Sequence, residues 1–337
     1  MPEITGHRFI KDLKEGEKVK AVYLLRAKTS GLTKKGDFYI SLELIDKTGK
    51  VDAKIWETNE NVYKNLTIDS FVEVEGYIDF FKGFPQIRVT SIRNIRKEDE
   101  ENIVFENYLP CSPFDIEEMY NELQTIISAV KNPFYQKLLQ SIFSDKKFAN
   151  TFKRCPAATD FHHPYLGGLL EHTLSLAKLA KLILKNYSDI VNEELLITGC
   201  ILHDIGKTEE LSYQRSLNYT NRGKFIGHIV IGAGIVEKKI REIPDFPQDM
   251  ADLILHLILS HHGEYEWGSP RRPKCLEAVM LHHIDNIDAK VNGFHWFINS
   301  YTVDKDSSWT NYSKMFDEYL YKDSKLFEIK IKEDKLF

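Results

Sequence analysis

Residues 193–207 read Glu-Glu-Leu-Leu-Ile-Thr-Gly-Cys-Ile-Leu-His-Asp-Ile-Gly-Lys. The apolar run LLITGCIL predicts a helix over 193–205, and Gly206 breaks it. The run ends in adjacent His203 and Asp204, two side chains that ligate metals, at positions where an ordinary core would take Leu. Neighbours on a helix point about 100° apart. An adjacent His-Asp pair can therefore reach one ion from two sides, or let the carboxylate bridge two ions.

Other helical segments repeat the pattern. In the helix predicted over 167–187, His172 lies on the apolar stripe of Leu169, Leu176, Ala180 and Leu184. In that over 276–292, Asp285 shares a face with Ala278 and Leu281. A carboxylate on an apolar face is costly unless paired or bound to a cation. One such residue is usually a satisfied core polar group, whereas three on separate helices favour a shared ion. His261-His262 precede Gly263 at the end of a helix predicted over 247–262, and His228 heads another over 228–242. His172, His203, Asp204, His228, His261, His262 and Asp285 offer enough N and O donors for two divalent ions. Imidazole with carboxylate suits Mn, Fe, Co, Ni or Zn rather than Ca.

Upstream the period changes to two. Segments 18–30, 36–46, 51–56, 70–81 and 84–96 read as strands, with a short helix over 58–66 between the third and fourth. That order is the order of a five-stranded OB-fold barrel. Further helices are expected over 115–130, 133–143 and 308–321. The chain thus divides into a barrel (1–97), a charged linker (98–110), a helical domain (111–321) and a charged tail (322–337).

The 337 residues, 42% hydrophobic and 28% charged, allow two ordinary domains and exclude disorder for most of the chain. No apolar stretch approaches the ~20 residues of a membrane span, and the N-terminus has no signal-peptide core. Cys111, Cys155, Cys200 and Cys275 are far apart and read as reduced thiols of a cytoplasmic protein. Charge is uneven: residues 1–97 carry 18 basic and 14 acidic side chains, net +4, and the remainder 27 against 36, net −9. In the barrel, Phe38, Tyr39, Trp56, Phe80, Phe81 and Phe84 are interleaved with Lys28, Lys34, Lys35 and Arg88, a pairing that suits single-stranded nucleic acid. Period-two aromatics are more often barrel core, but neither Phe38-Tyr39 nor Phe80-Phe81 can point inward as a pair, so one of each faces out.

The pattern H…HD…D resembles the HD-domain metal-dependent phosphohydrolases, which are all-helical. The strings FHHPYLGGLLEHT, CILHDIGK, SHHGEYEWGSPRRP and LHHIDNIDAKVNG, behind an OB-fold, are more specific and resemble the YhaM-type 3'-5' exoribonuclease family. The resemblance implies a two-domain, β plus all-α protein that degrades single-stranded RNA, and also DNA, from the 3' end. It implies dependence on manganese and assembly into homo-oligomers. By matching motif, His172, His203, Asp204 and Asp285 would hold one ion. Asp204 would bridge to a second, held by His228, His261 and His262. Asp285 rather than Asp288 is assigned as ligand in the D-x-x-D-A pattern, with Asp288 supporting it.

Lys207 follows the His-Asp turn and can contact the scissile phosphate; a helix C-cap cation is an equally weighted role. Arg271 and Arg272 can bind phosphates bidentately, and Lys28, Lys35, Tyr39 and Arg88 are the barrel candidates for the strand. Trp267 reads as a loop anchor before a stacking platform, and His256 as a core residue. One of His282 and His283 is expected to support the site. His162-His163 fall in a loop, and His7 and His295 have no evident partner. A phosphodiesterase for small or cyclic nucleotides is the alternative enzyme, opposed by the lack of G-Y-P after His261-His262. A nucleic-acid-binding protein with a vestigial site is the other, opposed by the complete ligand set.

Overall fold

The structure, a computed structural model, describes residues 7–81, 84–96, 99–100, 103–104, 107–159, 163–213, 217–300, 307–313 and 316–322. Strands β1 (Lys18–Leu32), β2 (Phe38–Asp46), β3 (Gly49–Ile55), β4 (Ser70–Phe81) and β5 (Phe84–Asn94) close a barrel in the order β1-β2-β3-β5-β4. β3 and β5 pair in parallel to close it, and the other neighbours are antiparallel. Alternation sets the interior: Ile40, Leu42 and Leu44 of β2 meet Tyr23, Val72, Val74, Ile78 and Ile87. Helix α1 (Glu60–Asn65) lies between β3 and β4, and the Asn59 side chain caps it by accepting from the Asn61 and Val62 amides.

The helical part comprises α2 (Ile116–Ala129), α3 (Pro133–Phe143), α4 (Lys146–Arg154), α5 (Gly168–Leu184), α6 (Glu193–Leu202), α7 (Lys207–Glu210), α8 (Asn221–Ile226), α9 (His228–Arg241), α10 (Gln248–Ser260) and α11 (Leu276–Ser300). Asp115, Asn132, Asp145 and Asn192 are N-caps, so α2, α3, α4 and α6 start where a side-chain oxygen can take orphan amides. α6 is buried from Leu195 to Leu202 and forms the centre on which α5, α10 and α11 pack.

The helical expectation holds for this part with corrections. Residues 308–321 are not a helix but a hairpin of β8 (Trp309–Ser313) and β9 (Glu318–Tyr321). Thr310, Ser313 and Leu320 are buried and Trp309, Tyr312, Tyr319 and Tyr321 exposed; a register shift between Trp309 and Tyr312 breaks the period-two alternation that marks a strand. A second ribbon, β6 (Leu211–Ser212) with β7 (Asn218–Tyr219), follows α7. α4 was not anticipated, and α11 runs to Ser300 rather than ending at 292. The tail beyond Lys322, like His162, lies outside the described residues.

The connection between the two parts is packed. Ile103, Tyr108 and Leu109 join a buried cluster with Val22, Leu24, Phe71 and Ile95 of the barrel and Leu166 of the helical part. The Leu166 amide donates to the Pro110 carbonyl and the Lys47 amide to that of Asn107. His7, which had no evident partner in the sequence, meets Asp46 at 3.2 Å and the Tyr108 ring edge-on.

Candidate metal centre

α5, α6, α9, α10 and α11 each end or pass at one point, and each delivers a donor there. Gly206 makes this possible: a Cβ at that position would overlap the His228 carbonyl oxygen, so only glycine lets the turn after α6 touch the start of α9. His172, His203, Asp204 and His261 are buried.

Two groups of donor atoms share Asp204. On one side, His172 Nε2 lies 3.2 Å from His203 Nε2, 3.2 Å from Asp285 Oδ1 and 3.6 Å from Asp204 Oδ2, and His203 Nε2 lies 3.3 Å from Asp204 Oδ2. Donors held about 2.1 Å from one ion sit roughly 3.0–3.4 Å apart, so this spacing is that of a coordination shell. On the other side, Asp204 Oδ1 faces His228 Nε2 at 3.4 Å and His261 Nε2 at 3.5 Å. The donor atoms of His228, His261 and His262 lie within 4.8 Å of one another.

The hydrogen bonds fix every tautomer. The Nδ1–H of His203 donates to Cys200 O (2.9 Å), that of His261 to Ile258 O (2.7 Å) and that of His262 to Trp267 O (2.8 Å). His172 Nδ1 donates to Asp288 (2.7 Å) and His228 Nδ1 to Glu210 (3.1 Å). The Nε2 of His203, His228, His261 and His262 therefore presents a lone pair inward, and that of His172, which faces Asp285, does so once an ion displaces its proton. His228 Nε2, His261 Nε2 and Asp204 Oδ1 are buried and hydrogen-bond to no described residue. Buried polar atoms are normally paired; lone pairs converging on one point fit a divalent cation. The residues present thus fit the expected ions.

The electrostatics agree. Burial pushes His262 down to about 4, and the neighbouring His261 adds to this, so His262 is neutral at ordinary pH. Burial would also lower His172, but Asp285 and Asp288 on either side outweigh it and raise it to about 10. In that position a proton does part of what a cation would do. Burial alone would raise Asp204, yet Lys207 and His203 hold its carboxyl well below the usual range.

Lys207 opens α7 instead of capping a C-terminus, which removes the capping role. Its ammonium lies 2.5 Å from Asp204 Oδ2. Together with Asp204, His262 and Asp285 it faces a cavity of about 230 Å³. Arg271 and Arg272 do not line that cavity; Arg272 pairs with Glu264 at 2.5 Å above the Tyr265 ring. Trp267 is 53% exposed and is not a buried anchor. His256 is half-buried, not core, and accepts from the Lys274 amide.

His163, read as a bland loop residue, is buried and bonded to Asp288 (3.2 Å) and to the Tyr165 hydroxyl (2.6 Å). No local spacing announces it, because Pro164 and the turn to Gly167 bring it back onto α5. Glu210 was missed too; it is the last residue of α7, directly before the strand that leads to α8. Asp288 supports His172 as expected, with Ser175 donating to its other oxygen. Asp288→Asn should weaken manganese binding about 10–100-fold while the ligands stay in place; a calorimetric titration giving unchanged affinity would remove Asp288 from the site.

On the barrel, Tyr39, Trp56, Lys54, Arg88 and Tyr77 form a row on the outer face across β2, β3, β5 and β4. Lys54 lies over the Tyr39 and Trp56 rings (5.5 and 5.2 Å), and Arg88 over Tyr77 (5.7 Å). Lys54 and Arg88 are register partners. Lys54 and Tyr77 were not singled out from the sequence. Lys35 is exposed in the β1–β2 turn. Lys28 is engaged internally, donating to the Tyr63 and Leu66 carbonyls at 2.6 Å. Phe38 packs on the core, and Phe80 is exposed although it shares the parity of buried Ile78 on β4; the Phe81 and Phe84 side chains lie outside the described residues.

Residues 169–290 match the HD domain family and residues 24–95 the OB-fold nucleic acid binding domain family. Over 277 residues the chain is 36% identical to the 3'-5' exoribonuclease YhaM of Geobacillus sp. (strain WCH70), covering 82% of this chain and 84% of that one. Its identity to the Bacillus subtilis YhaM is 35% over 277 residues, and to that of Bacillus velezensis 37% over 280, in each case covering 82% of this chain and 86% of the relative. The chain belongs to the YhaM 3'-5' exoribonuclease family. In this member of the family the HD match contains the whole donor set, from His172 to Asp285, and the OB match contains the outer aromatic row. No helix among the described residues is long and apolar enough to cross a membrane.

Proposed function

We propose that this chain is a metal-dependent 3'-5' exoribonuclease that hydrolyses phosphodiester bonds of single-stranded RNA, and also of DNA, at a dinuclear centre. The observation that carries the reading is Asp204: its two oxygens face two separate donor groups, and the atoms on the second side are buried without partners. His172, His203, Asp204 and Asp285 would hold one ion, and Asp204, His228, His261 and His262 the other, with manganese as the first candidate for both. When bound, such a pair supplies a nucleophilic water at neutral pH and neutralises charge at the phosphate.

The protein's own groups do the rest. Lys207, held against Asp204, points its ammonium at the cavity and orients a phosphate oxygen there. Asp288 and Glu210 keep the His172 and His228 tautomers fixed. Residues 1–97 act as the grip and 111–321 as the cutting part of a cytoplasmic homo-oligomer. Hydrolysis of 3'-labelled and 5'-labelled RNA with added manganese tests the activity: release of mononucleotide from the 3' end alone is expected, and internal cuts or inertness would overturn it.

The grip is tested on the outer face. Each phosphate neutralised contributes about −0.7 to the slope of log K against log salt for single strands. The Lys54→Ala, Arg88→Ala double variant should flatten that slope by about 1.4, since both cations sit in one row. Trp56→Ala should weaken binding by about 1–3 kcal/mol through lost stacking. Equal slopes for variant and parent, from titrations at several salt concentrations, would move the strand off this face.

A further inference from the structure

The cavity has a second wall that holds no metal donor. α11 presents His282, Asn286 and Ala289 at spacings of four and three, which places them on one helix face beside Asp285. Trp267 stands opposite, from the loop after α10. Its position is fixed from both sides: its carbonyl accepts from the metal-facing His262, and Gly268 behind it takes φ +81°. The Trp267 ring lies 5.8 Å from that of His282, tilted by 38°.

His282 is held in one orientation. Its Nδ1–H donates to the His261 carbonyl at 2.9 Å, and its ring packs where a Cβ on Gly263 would overlap it. Nε2 is therefore an acceptor, and it hydrogen-bonds to no described residue. The Asn286 amide, one turn further on, likewise bonds to no described residue and supplies donors. An acceptor and a donor side by side, next to an exposed indole, form a surface complementary to a nucleoside: a base stacks on the indole, and hydroxyls bond to the polar pair.

We propose that Trp267, His282 and Asn286 form the subsite for the 3'-terminal nucleoside, with His282 Nε2 accepting a hydrogen bond from a hydroxyl of its sugar. The subsite rests on the exonuclease reading and adds to it a means of sensing the terminal sugar. Asp204, Lys207 and Asp285 on the first wall face the phosphate, so the nucleoside beyond it lies against the second wall. Ala289 leaves room where a larger side chain would close the cavity.

Two replacements separate the roles of the His282 nitrogens. His282→Asn keeps a donor near Nδ1 for the His261 carbonyl but has nothing that reaches the cavity, whereas His282→Gln returns a polar group near Nε2. The substrates are RNA oligonucleotides of one sequence ending in ribose, 2'-deoxyribose or 3'-deoxyribose. The readouts are kcat/KM for removing the last nucleotide, calorimetric binding of 5'-AMP and its two deoxy forms to the manganese-loaded protein, and manganese content.

The parent should prefer the ribose terminus over at least one deoxy terminus, and the affected terminus identifies the hydroxyl. His282→Asn should lose about tenfold on ribose, the scale of one hydrogen bond, and little on that deoxy terminus, with manganese content kept. His282→Gln should recover part of the preference. Trp267→Ala should raise KM for all three termini. A parent that ignores the terminal sugar, or a His282→Asn variant that loses equally on all termini, would overturn the inference while leaving an active exonuclease. A parent that removes no 3' nucleotide would overturn the exonuclease reading as well.

Discussion

Asp204→Asn should abolish nearly all hydrolysis, a loss of about a thousandfold or more, while the protein stays folded. The side chain faces both donor groups, so the change takes a charged ligand from each at once, and charge stabilisation is the largest single contribution at such a centre. Asparagine is the informative replacement because of Lys207. That buried ammonium sits 2.5 Å from Asp204, the carboxylate it hydrogen-bonds, while Asp285 and Glu210 attract it without a hydrogen bond to it. Asp204→Ala would leave it unpaired at a cost of about 3–5 kcal/mol, whereas Asn keeps a carbonyl oxygen in reach. The alanine variant should therefore be inactive and also less heat-stable, and Lys207→Met in the same chain should return much of that stability. Hydrolysis by a folded Asp204→Asn protein at parental rate would sink the assignment of the centre.

The parent loaded with manganese should contain two ions per chain, and His261→Ala should contain one and be close to inactive. His261 serves only the second donor group, through an Nε2 that meets Asp204 Oδ1 at 3.5 Å and is otherwise unpartnered. Its loss leaves His172, His203 and Asp285 untouched. Removal of all metal should lower the unfolding midpoint, because ions bind only the folded arrangement: at a hundred times Kd each contributes about 2.7 kcal/mol. Elemental analysis settles the count independently of turnover. One ion in the parent, with His261→Ala as active as the parent, would reduce the centre to a mononuclear one.

Much of this centre is legible in the sequence because its donors interrupt apolar periodicity. His172 stands on a stripe of leucines, and His203-Asp204 end an apolar run; each is visible as a polar residue where burial is expected. His163 and Glu210 carry no such mark. They are placed by turns, at Pro164 and at the short α7, and turns encode position weakly. The barrel was legible from period and punctuation, yet which cations face the strand was not. Lys28 and Lys54 look alike in sequence, and only the folding of α1 across Lys28 ties one of them to backbone carbonyls. The hairpin at 309–321 was misread because its aromatics also suit a helix face, and no tight two-residue turn marks the reversal.

The buried cluster of Tyr108, Leu109, Phe71 and Leu166 has a mechanical consequence. It packs described residues of the connection against both parts, so that the outer aromatic row and the cavity belong to one packed body. The protein then carries a built-in ruler. On the proposed function, a strand long enough to span from that row to the cavity would be held at two points and fed toward its 3' end without letting go. Once digestion shortened it below the span, only the cavity would hold it. Trimming should then change from a continuous run to single, separate encounters, leaving a remnant whose length is set by the fold and not by the RNA sequence.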